Sequence, residues 1–92
     1  MKELLKTSGY KITQIEFAAG TQMPRHSADH DAYLVVETGN ALLIFKEEKF
    51  ELETGSFLKI PANEQHILKV IKDFKAILIL GIESSITYQG AA

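Results

Sequence analysis

The chain has 92 residues, a net charge of −2, 46% hydrophobic and 24% charged residues, and no cysteine. This length predicts one domain over residues 1–92 with a modest core, the kind of domain that often gains stability from a second copy. The scattered basic residues exclude a nucleic-acid partner, the missing thiols exclude disulfide and thiolate chemistry, and the absence of a signal-like or membrane-length apolar run predicts a soluble cytoplasmic protein without a membrane partner.

Turn signals recur about every eight to twelve residues, the spacing of an all-β sandwich or barrel. Residues 2–6 are too few to hold a helix before the Thr7-Ser8-Gly9 turn. A half-buried strand is predicted over 10–18, broken at Ala19-Gly20-Thr21. A strand over 30–37 and a returning strand over 41–45 are expected to form a hairpin about Thr38-Gly39-Asn40, since glycine and asparagine both tolerate positive φ. A charged turn at 46–49 leads to short strands over 50–52 and 56–60, separated by Glu53-Thr54-Gly55. Pro61 stops the second of these because it cannot donate to a ladder. Strands over 65–71 and 76–82 follow, with a turn at 72–75 between them, and the tail is expected to fray at Gly90, Ala91 and Ala92. No convincing helix is found, and the pattern implies an antiparallel barrel or jelly roll.

The last strong strand, with Ile77, Leu78, Ile79, Leu80 and Ile82, is apolar on both faces. A sheet with one wet face would alternate, so burial on both sides is expected. A homodimer formed by sheet packing would supply the cover; an N-terminal strand or the tail is the alternative.

All three histidines lie in two short stretches, 20–30 and 55–66, and imidazole is the commonest ligand of transition metals. These stretches resemble the paired motifs of the cupin superfamily. Gly20, His26 and Gly39 match the first motif, while Ala28 and Ala32 stand where its second histidine and glutamate would be. Gly55, Pro61 and His66 match the second, with Asn63 and Val70 in place of its later glycine and asparagine. The resemblance implies an all-β double-stranded β-helix (a jelly-roll barrel) and a small-molecule ligand held inside it.

Two of the four usual metal ligands are missing from their places. Residues two apart share a strand face, so His26, Ala28, His30 and Ala32 would point the same way and His30 could replace the missing nitrogen. His26, His30 and His66 would then hold zinc, iron, nickel or copper, and the uncompensated charge would attract an anionic ligand. His30 sits between Asp29 and Asp31 and equally fits a surface loop, with those carboxylates as hydrogen-bond partners. Arg25, Tyr33 and Glu64 are further ligand-binding candidates, at the mouth or on the wall. No organic cofactor is implied and no catalytic set is recognisable. A metal-assisted enzyme acting on a small metabolite, a non-catalytic binding or sensing module, and a dimeric protein partner all remain open.

Overall fold

The computed structural model describes residues 2–82 and 86–88. Among them eight strands and no helix occur: β1 Lys2–Lys6, β2 Tyr10–Phe17, β3 Gln22–Ala28, β4 Ala32–Phe45, β5 Lys49–Leu52, β6 Phe57–Ile60, β7 His66–Gly81 and β8 Ile86–Tyr88. All pairings are antiparallel. The expected fraying of Gly90, Ala91 and Ala92 lies outside the described residues. No helix among the described residues is long and apolar enough to cross a membrane.

The two long strands organise everything else. β4 and β7 pair along nearly their whole length, from Ala32 opposite Leu80 to Phe45 opposite His66. Their register shifts between Val36 and Ala41, where both bend together. On one side of this corner, the first half of β4 and the last half of β7 join β1, β2 and β6. On the other side, their remaining halves join β3, β5 and β8. The result is two five-stranded layers sharing their central pair, which is the expected double-stranded β-helix.

The corner corrects one expectation. Residues 30–37 and 41–45 do not form a hairpin with each other; both flanks of Gly39 pair with β7, and the turn expected at 72–75 is absorbed into β7 itself. Gly39 does adopt φ 97°. A Cβ there would collide with the Asp73 carbonyl oxygen and lie 2.8 Å from Phe74 Cα. Glycine therefore marks the bend, as composition suggested. A bend signal does not say whether the chain reverses or turns a corner, and here the long partner strand turns with it. Residues 2–6 form an edge strand, tied to β2 through a turn in which the Thr7 hydroxyl accepts from the Gly9 and Tyr10 amides at 3.1 and 3.0 Å.

Alternation places the core between the layers. Leu34, Val36, Ala76, Leu80, Ile15 and Ile60 come from one layer; Ala41, Leu43, Phe45, Leu52, Leu68 and Val70 come from the other, and all are buried. Phe74, at the corner, is 1% exposed and plugs the end where the layers meet.

Candidate functional site

The two histidine-bearing stretches meet in the second layer. β3 and β7 are neighbours, and His26 stands directly opposite His66. One irregularity brings this about. Gln22 and Met23 pair with Lys69 and Leu68, but His26 then pairs with His66, so β3 spends one residue more than β7 between these pairs. Met23 lies on the cavity side. Strict alternation from it would turn Arg25 inward and His26 outward; the extra residue at Pro24–Arg25 reverses this. Pro24 suits the bulge because it has no amide to lose from the ladder.

The loop between β6 and β7 is stitched to the end of β3. Asn63 donates its amide to the Ala28 carbonyl at 2.7 Å, and Ala62 donates to Asp31 Oδ1 at 2.8 Å. Asn63 has φ 63°. It stands where the family's second motif carries glycine, and asparagine is among the few other residues that enter the left-handed region readily. The substitution keeps the turn.

His26 and His66 are 7% and 5% exposed, with ring centroids 4.2 Å apart at 64°. Phe45 packs on the far side of His66 at 5.6 Å. Each Nδ1 faces a backbone carbonyl two residues back: Pro24 O at 2.7 Å for His26, and Glu64 O at 2.9 Å for His66. A carbonyl oxygen only accepts, so both Nδ1 atoms carry hydrogen and, in the neutral rings, both Nε2 atoms are acceptors. Burial lowers the His66 pKa below the usual histidine value; the Glu64 carbonyl opposes this, and the neighbouring His26 reinforces it. His66 is therefore neutral at physiological pH.

These rings form the polar end of a cavity of about 80 Å³ between the layers. Its remaining walls are apolar, including Ile15, Leu34, Leu43, Leu68 and Leu78. Ile86, 39% exposed, marks the solvent side. Ala28 and Ala32 also line it, Ala28 in the alternation expected from His26 and Ala32 from the start of β4.

The other sequence candidates lie elsewhere. His30 falls after the end of β3; its side chain is 54% exposed, with Nδ1 2.9 Å from Asp29 Oδ1. Asp31 turns to the loop instead, and the Ala62 amide, with Lys59 at 3.3 Å, holds its carboxyl below the usual range. Arg25 and Glu64 line an outer groove of about 850 Å³ with Ile44, Lys46, Glu48 and Ile67. Tyr33 lies on the outer face of the first layer, stacked on Phe57 at 6.1 Å. The structure thus brings two of the six candidates together in the cavity, and two others, Arg25 and Glu64, in the outer groove. The apolar cavity wall was missed because alternation alone does not distinguish a packed core from a hollow one.

The family's motifs imply a metal, and the donor set tests that. Among the described residues no group of three or more His, Cys, Asp or Glu side chains is placed to hold an ion. Two imidazoles are fewer than the three or four protein ligands of a zinc site, and no carboxylate lines the cavity to balance the charge. The described residues do not fit a resident metal of that kind, and no chemical step is derived through one.

Known proteins place the fold. A cupin superfamily protein from Desulfitobacterium hafniense superposes with a TM-score of 0.80 at 23% identity, over 88% of this chain and 74% of that one. An RmlC-like cupin family protein with a double-stranded β-helix fold from Methanocaldococcus jannaschii gives 0.76 at 19%, over 87% and 76%. Salicylate 1,2-dioxygenase from Pseudoaminobacter salicylatoxidans, with gentisate, gives 0.81 at 14%, but 90% of this chain corresponds to only 25% of that one. No curated protein matches the sequence. The pattern of the cupin domain family matches residues 13–81, spanning both histidine-bearing stretches and the whole shared β4–β7 ladder, and the chain belongs to that family.

Proposed function

We propose that this cupin barrel is a non-catalytic binding or sensing module for a small, mainly apolar molecule whose hydroxyl or carboxyl group meets the His26–His66 pair. The observation that carries this reading is the burial of two carbonyl-anchored imidazoles at one end of an otherwise apolar cavity. A buried acceptor such as His66 Nε2 favours a ligand that brings a donor, because an unsatisfied polar atom in a dry interior is costly.

The cavity sets the size. One water needs about 10–15 Å³ of such volume, so ~80 Å³ takes a molecule of about five heavy atoms. At a ceiling of about 1.5 kcal/mol per heavy atom, affinity is capped at about 7.5 kcal/mol, a Kd no tighter than about 3 µM. Short alcohols and short carboxylic acids fit this description. For an acid, the neutral form suits the dry cavity, and its proton is held at His66.

The test is calorimetry with a panel of short alcohols and acids on the wild type and on His66→Leu. Saturable micromolar-to-millimolar binding that is lost in His66→Leu supports the reading. No binding by any panel member contradicts it.

A second reading keeps a divalent transition metal on His26 and His66, with the ligand itself and water supplying the missing donors. It is favoured by the carbonyl anchoring of both Nδ1 atoms, the arrangement that orients imidazoles toward metals. Elemental analysis of untagged protein decides it: about one ion per chain, lost in His26→Ala and His66→Ala, establishes the metal, and background levels after incubation with zinc, iron and nickel salts exclude it.

A further inference from the structure

The bulge that turns His26 into the barrel turns Arg25 out of it, into the groove on the outer face of the second layer. This groove crosses the strands. Arg25 of β3 stands on one side. Ile67 of β7 and its cross-strand partner Ile44 of β4 form the floor. Glu47 and Glu48, in the turn between β4 and β5, stand on the other side. Both rims are fixed by the backbone. The Phe45 amide donates to the Glu48 carbonyl at 2.7 Å, and the loop carrying Gln65 is tied to β3 through the Asn63 amide. The groove is therefore formed before anything enters it.

Its charges do not meet one another. Among the described residues Arg25 forms no ion pair, although Glu47, Glu48 and Glu64 line the same groove. Opposite charges on the first layer do meet, Lys75 with Glu16 at 3.5 Å and Lys59 with Asp31 at 3.3 Å. Lys46, beside Glu47 and Glu48, leaves that side of the groove net negative. A guanidinium on one side, a net negative turn on the other and two isoleucines between them match an occupant that is charged at both ends and apolar in the middle.

We propose that this groove docks an extended peptide segment of a partner protein, with an acidic side chain on Arg25, apolar side chains on Ile44 and Ile67, and a basic side chain toward Glu47 and Glu48. The guanidinium fork suits a carboxylate held through two parallel hydrogen bonds. Two to three inter-strand steps of about 4.8 Å separate the two sides by about 10–14 Å, the length of about four extended residues at ~3.3 Å each. At about 850 Å³ the groove is about tenfold larger than the barrel cavity, far more room than a short alcohol or acid fills. Asn63 and Gln65 bring side-chain amides that both donate and accept, as a peptide backbone requires. Phe45 lines the groove and packs against His66, so the groove and the polar end of the cavity share a wall. The docking itself does not depend on the barrel ligand.

Selection of the full chain against a random seven-residue peptide library displayed on phage tests it, with fluorescence polarisation of the selected peptides. Enriched sequences are expected to hold an acidic and a basic residue about four positions apart with apolar residues between them. Arg25→Gln is expected to weaken their binding about fivefold. Glu47→Lys combined with Glu48→Lys should turn the selected preference at that end from basic to acidic. Glu51→Lys, exposed on the same layer but outside the groove, should change neither. All of these side chains are exposed, and circular dichroism checks that each variant folds. No enrichment over a protein-free control, or selected peptides that bind Arg25→Gln and the charge-reversed variant as tightly as the wild type, overturns the proposal.

Discussion

The same two strands build both halves of this molecule, and the halves are specialised in opposite senses. Beyond the corner at Gly39, β4 and β7 pack with β3 and β5 in a layer that turns two imidazoles inward, from β3 and β7, and charges outward, from β5 and β7. Before it, they turn aliphatic side chains both inward and outward. One half carries the polar end of the cavity; the other carries a largely apolar outer face. The lesson is that a strand's inner and outer residues answer to different demands, so the two faces of one ladder can be altered separately. Inner substitutions should change ligand binding and outer ones should leave it intact, and the corner should disturb both faces.

The largest effect is expected at the corner. Gly39→Ala forces a Cβ against the backbone of Asp73 and Phe74 at a positive φ. A cost of about 3 kcal/mol or more is expected, read as a lowered denaturant midpoint. Both halves should suffer together, with ligand binding weakened through the fold; a variant as stable as the wild type would show that the two bends are not in contact.

Next comes the separation of inside from outside. His66→Leu removes the acceptor but refills the cavity end with apolar atoms. Calorimetry should show ligand affinity reduced by about tenfold or more, and unfolding should shift by no more than about 1.5 kcal/mol. Ile77→Lys, on the outer face of the same ladder, should leave ligand affinity unchanged. A loss of binding in that variant with its fold intact would end the comparison between the two faces.

How far the sequence reaches is shown by the same two faces. The short strands over 50–52 and 56–60 and the stop at Pro61 were legible, because alternation and turn residues are local signals; the strand that carries His26 was not marked by them, and the meeting of the two histidine-bearing stretches was expected only from the family resemblance. The inward placement of Ala28 followed from the same period of two, whereas Ala32 reaches the cavity from the next strand. His26 itself was legible only by resemblance, since the period alone leaves out the bulge at Pro24–Arg25 that reverses its direction. His30 was drawn into the site by carrying the alternation past Ala28, where the strand ends. The hairpin about Gly39 was misread because a glycine reports local φ, whereas the direction of the chain afterwards is set by a partner strand more than thirty residues away. Tyr33 looked like a cavity wall until its register with Lys59 and Ile79 placed it outside.

A smaller effect is expected from pH. His66 is held below its ordinary value of 6.5, mainly by burial. Below about that pH the unfolded chain takes up a proton that the folded chain resists, so the stability tied to neutral His66 is complete above it and falls as the solution becomes more acidic. Thermal unfolding from pH 8 to 5 should show this decline, and His66→Leu should flatten it. A decline of equal steepness in both proteins would mean that other groups are responsible.

The smallest effect is expected from Asp31→Asn. The carboxylate is exposed, and it receives the Ala62 amide and sits beside Lys59. The amide oxygen of asparagine can still accept from Ala62, so only a slight drop in melting temperature is expected, vanishing at high salt. A large drop would mean that this contact determines how the two histidine-bearing stretches meet.

The most direct measurement is the nitrogen-15 spectrum of the three imidazoles during titration with the short alcohols and acids. Before ligand, His26 and His66 are predicted to carry their hydrogen on Nδ1. On titration, the Nε2 signal of His66 should move saturably, and the signals of His30 should stay in place. Movement confined to His30, or no movement at His66 with any of these compounds, would contradict a barrel that receives its ligand at the paired imidazoles.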